Sequence, residues 1–130
     1  MTKQAVLFTH TDGDRPVAST FDYEQGLPAL YRAIGCDLVE VATNGRFAGL
    51  KVTLIVDEEG LYRQPYVNRH ANDFAAEITG NAIYALRPSL VGPAVVVLDT
   101  GDDWRGFTPD ELAVVLDALR HGGYTVATAA

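Results

Sequence analysis

One cysteine, Cys36, and two serines, Ser19 and Ser89, occur in 130 residues. A lone cysteine cannot close an intramolecular disulfide, so a reducing, cytoplasmic setting is expected. Neither serine sits in a G-x-S-x-G elbow. The chain has no G-x-x-x-x-G-K-[ST] loop, no G-x-G-x-x-G, no H-E-x-x-H and no C-x-x-C. No established catalytic constellation can be assembled, so no catalytic residue, cofactor or metal site is assigned and a non-enzymatic role is preferred. Positive charge is also scarce. Ten Lys and Arg stand against seventeen Asp and Glu, a net charge of -7. The basic residues are scattered, which argues against nucleic-acid binding, because phosphate backbones need a concentrated positive surface. The acids form no long run, which weakens a DNA-mimic reading. Apolar runs are short. The opening MTKQAVLFTHTD holds only Ala5–Phe8, too little for a signal peptide, and no segment approaches a membrane span.

What is present suits one folded α+β domain over residues 1–130. Hydrophobic content of 48% with 21% charged residues argues against general disorder. Ala5–Thr9 and Val17–Phe21 read as strands around the turn chemistry of His10–Pro16, a hairpin. Asp22 can cap a helix from about Gln25 to Ile34, with Pro28 in its first turn and Gly35 as its stop. Leu38–Val41 reads as a strand ended by an Asn44-Gly45 turn. Val52–Val56 is the strongest strand, closed by Asp57–Gly60. Ala71, Phe74, Ala75 and Ile78 share a helical face that starts at Asn68 and stops at Gly80. Ile83–Leu86 reads as a short strand and Ala94–Leu98 as a buried one. Asp99–Phe107 reads as a loop. Thr108, Pro109 and Glu111 announce a helix with Leu112, Val115, Leu116 and Leu119 on one face, stopped by Gly122-Gly123. The order is ββαββ-α-ββ-α, with Tyr124–Val126 as a last strand or ordered tail. It implies a mixed, mainly antiparallel sheet with about three helices.

Several of these pieces together look familiar: VDEEGLYR (Val56–Arg63), the Pro65, Asn68, Arg69 segment, Gly80, LVGPAVVV (Leu90–Val97) and FTPDEL (Phe107–Leu112). From Leu27 to Leu119 the chain resembles a family of small phage and bacterial proteins known only as a domain of unknown function. In that family the acidic turn usually leads to a Leu-Pro-x-Asn stretch, where this chain has Gln64-Pro65-Tyr66-Val67. The resemblance implies a phage or mobile-element context and a small accessory role, and implies no reaction; together with the small size and the acidic surface it favours a protein that acts by binding a host protein.

The densest chemistry lies in Tyr62, Arg63, Tyr66, Asn68, Arg69, His70 and Asn72. Arg69 could grip a carboxylate or phosphate, Asn68 could read an amide or base edge, and a tyrosine could stack on a ring. That supports an alternative function, binding or sequestering a small nucleotide-like anion. The plainer reading makes Asn68 a cap and Arg69 with Asp73 an i,i+4 pair. His10, Asp12 and Asp14 alternate like metal ligands but are also ordinary turn residues. Asp99-Thr100-Gly101 matches the triplet of retroviral-type aspartic proteases, yet lies late in the chain with a helix start close behind it. Asp102, Asp103 and Trp104 could form a partner-binding loop with Trp104 as anchor. The frequent burial of tryptophan favours Trp104 folding between Phe107 and the last helix instead. Cys36 is expected to face the core. A homodimer is compatible with all of this.

Overall fold

The computed structural model describes residues 3–9, 17–24, 26–60 and 66–127. The expected turn over His10–Pro16 and the residues Tyr62, Arg63, Gln64 and Pro65 lie outside them. The described residues run β1 (Gln4–Thr9), β2 (Val17–Asp22), α1 (Leu27–Ile34), β3 (Val39–Phe47), β4 (Leu50–Asp57), α2 (Arg69–Thr79), α3 (Ile83–Leu86), β5 (Ala94–Asp99), β6 (Trp104–Arg105), α4 (Pro109–His121) and β7 (Thr125–Val126). The strands form one sheet in the order β3-β4-β5-β1-β2-β7, with β6 paired to β5. Among the described strands only β2 and β7 pair in parallel, so the α+β, mainly antiparallel expectation holds.

Period-two alternation sends successive side chains to opposite faces of this sheet. Val6, Phe8, Val52, Leu54, Val56, Ala94, Val96 and Leu98 pack under α2 and α4, with Phe74, Ile78, Val115 and Leu119 from the helices. Ala5, Ile55, Val95 and Val97 point the other way, against Leu30 and Ile34 of α1. Strand β5 is buried on both sides, which accounts for its unbroken apolar run. Cys36 is buried, as expected.

Four local readings need correction. Asp22 ends β2, and the α1 N-cap is Gly26 with no side-chain cap bond. Asn44-Gly45 is not a turn: β3 runs through it and pairs Gly45 with Val52. The turn falls at Ala48-Gly49, both with positive φ. Gly45 is needed for another reason, since a Cβ there would strike the Ile78 carbonyl where α2 crosses β3. Ile83–Leu86 is a helical turn, because Leu86 and Arg87 donate to the Ala82 and Ile83 carbonyls. The 99–107 segment contains β6, which a loop reading omits.

Candidate functional site

The α1 side of the sheet is unevenly covered. An eight-residue helix spans little of a seven-stranded sheet, and the uncovered part forms an open cleft of about 760 Å³. Its floor is Val39, Val41 and Asn44 of β3, Thr53 of β4 and Asp99 at the end of β5. A β-bulge between Val41 and Thr43 sets which β3 residues reach it. The bulge changes parity, so that Val41 opposes Ile55 and Asn44, rather than Thr43, opposes Thr53. Tyr23, Gly26, Leu27 and Tyr31 form one wall. The β5–β6 turn closes the end with Asp102, Asp103 and Trp104.

That turn is held by its own side chains. Gly101 N–H donates to Asp99 Oδ1 at 2.7 Å, and the Thr53 hydroxyl donates to Asp99 Oδ2 at 3.4 Å. The Thr100 hydroxyl donates to the Asp103 carbonyl at 2.9 Å, and Trp104 N–H donates to Asp103 Oδ1 at 2.8 Å. Asp99-Thr100-Gly101 is thus a turn anchor. Beyond Trp104, Arg105 makes a two-pronged bond to Glu111 at 2.8 and 3.1 Å, which ties the turn to α4.

The charge of the cleft is one-sided. Asp99, Asp102 and Asp103 line it, and among the described residues no Lys, Arg or His does. Burial, and secondarily the negative charge of Asp103, push the Tyr23 hydroxyl up to about 12. The N-terminus of α1 borders the cleft but offers an anion little. Pro28 has no N–H, and the Ala29 and Leu30 N–H groups both return to the Gly26 carbonyl.

The residues anticipated from sequence fall in three places. Asp102, Asp103 and Trp104 meet in the cleft. Trp104 is half-buried on the α1 side, whereas Phe107 is buried on the α2 and α4 side, so the expected packing of Trp104 between Phe107 and the last helix does not occur. Asn68 and Asn72 are 0% exposed and bond to their own chain. Asn68 caps α2 through Ala71 N–H at 3.0 Å and donates to the Phe8 and Gly92 carbonyls. Tyr66 is half-buried, its carbonyl accepting from Gly92, and Arg69 is exposed at the start of α2. His70 borders a separate hollow of about 290 Å³ with Asp73, Glu77 and Tyr124. The described part of the densest polar stretch, from Tyr66 to Asn72, is therefore not one surface. Tyr23, Tyr31, Val39, Val41 and Thr53 were missed as cleft residues. The available signal was the shortness of α1 beside so many strands.

These features define a small α+β domain with one acidic, aromatic-walled cleft. The chain belongs to the family described as a domain of unknown function, DUF3846, whose profile matches residues 2–120. No curated protein and no solved structure matches it. Among the described residues no cluster of His, Cys, Asp and Glu could hold a metal ion, and no helix is long and apolar enough to cross a membrane.

Proposed function

We propose that this protein is a non-enzymatic accessory factor, of the phage or mobile-element type its resemblance implies, that binds a host protein through the α1-side cleft. The observation that carries the reading is the lining itself. Carboxylates and aromatic rings surround a floor that mixes Val39 and Val41 with Asn44 and Thr53, and among the described residues no imidazole, thiol or amine lines it. Such a surface suits recognition, with Trp104 as an aromatic anchor inside a ring of polar groups. The nucleotide-like anion alternative has less support, because three carboxylates would repel it and Asn68 and Asn72 are internally bonded.

The test is a quantitative pull-down from bacterial lysate with the wild-type protein, Trp104→Ala and the Asp102→Asn/Asp103→Asn pair. A partner retained by the wild type and lost by both variants supports the reading. Equal retention by all three proteins, or no partner at any salt, rejects it.

A further inference from the structure

We infer that the cleft is built to receive an arginine side chain from its protein partner, the guanidinium bonding the Tyr23 hydroxyl and the Asp102 and Asp103 carboxylates against the Trp104 ring. The inference rests on the protein-binding reading above and names what that partner must present.

Charge complementarity selects a cation. The second observation is independent of the acids. Tyr23 is only 6% exposed, and its side chain borders the cleft. Its hydroxyl makes no hydrogen bond among the described residues, while the backbone of Tyr23 bonds Lys3 and Gly26. The hydroxyl is the solvent-reaching tip of an otherwise buried ring and opens to the cleft. A guest N–H would bond it there.

Arginine fits better than lysine. A guanidinium offers several N–H donors in a planar fork, stacks on aromatic faces and sheds water more readily than an ammonium. Its alkyl stem can lie along Leu27 and Val41. A protein source fits better than a free amine. The cleft, at about 760 Å³, exceeds one side chain, and exposed Leu27, Leu38 and Val41 border it where flanking residues would rest.

Trp104 is the chain's single tryptophan, so its fluorescence reports directly on the cleft. The experiment titrates a capped Val-Ala-Arg-Ala-Val peptide against versions with lysine or neutral citrulline at the centre, and against free arginine amide. A saturable Trp104 response is expected for the arginine peptide. Losing the charge should weaken binding about tenfold, as removing one charge-assisted contact does. Tyr23→Phe should weaken the arginine peptide several-fold. Asp102→Asn/Asp103→Asn should flatten the salt dependence. Equal binding of arginine and citrulline peptides overturns the inference, as does a silent Trp104 with every peptide. Free arginine amide binding as tightly as the peptide overturns the protein source. Each of these failures leaves the pull-down result standing, so the two ideas fail separately.

Discussion

Asn72 shows what a single side chain holds in place here. Its amide donates to the Asn68 carbonyl at 2.8 Å and the Leu90 carbonyl at 3.0 Å. Its oxygen accepts from the Ser89 and Leu90 N–H groups at 3.0 and 3.2 Å. A side-chain amide has two donors and two acceptor sites, and all are used. The segment before β5 is thereby fastened to the first turn of α2, beside the isolated antiparallel bridge between Val67 and Val91. Asn72→Ala should cost roughly 3 kcal/mol, because several buried backbone groups lose their partner together. Asn72→Asp should cost at least as much, since it replaces the donating amide with a carboxylate oxygen that faces two carbonyl oxygens. Urea unfolding checks both: the midpoint should fall at an unchanged slope. A loss below about 0.5 kcal/mol, the level of an ordinary surface substitution, would contradict the bracing role.

At the level of elements, α4 carries the clearest sequence signature and the clearest pH response. Thr108 accepts the Glu111 N–H while Glu111 accepts the Thr108 N–H, and Arg105 grips the same carboxylate. Those bonds, the Arg105 contact first, hold Glu111 near 2 against an ordinary 4.5. A carboxylate lowered on folding stabilises the protein above its unfolded pKa. That contribution fades as pH falls from 4.5 toward 2. Arg105 and Glu111 are about a quarter exposed (28% and 24%), so solvent screening brings the full linkage value down to roughly 1–2 kcal/mol. Glu111→Gln should therefore lower stability by about that amount at pH 7, where unfolding free energies compare the two proteins directly. The gap should narrow steadily below pH 4.5. A gap that stays constant down to pH 2 would place the loss in packing instead.

The capping box was legible because it is written in consecutive residues. The same holds for the Asn68 cap and for the Gly35 and Gly80 stops, both left-handed. Gly45 was misread because a glycine demanded by a neighbouring helix looks, in one dimension, like a glycine demanded by a turn. Ile83–Leu86 is too short for periodicity to separate strand from helix. The candidate site was less legible still. Asp102, Asp103 and Trp104 could be picked out as a loop, but Tyr23, Val39 and Asp99 join them only through the sheet order and a bulge that leaves no sequence mark.

For the whole molecule, the consequence is unequal support on the two sides of the sheet. The α2 and α4 side is closed by two long helices and by phenylalanine contacts, Phe8 and Phe47 each about 5 Å from Phe74. The other side rests on α1, which buries only Ala29, Leu30 and Ile34 and lacks a side-chain cap at its start. Local opening free energy follows buried apolar contact, so α1 should detach at a cost well below global unfolding. In native-state hydrogen exchange, the helical amides of Tyr31–Ile34 should exchange first and show little dependence on low urea. Amides of β4 and β5 should follow the global unfolding curve. If the α1 amides instead merge with those of β5 at every urea concentration, the two sides form one cooperative unit. The arginine peptide adds a second readout. Seated against Leu27 and Tyr31, it should slow exchange in α1 and leave α2 and α4 unchanged, because a ligand stabilises the local state it binds. A helix loosely held at the edge of an acidic cleft would then be the part of the fold that a partner completes.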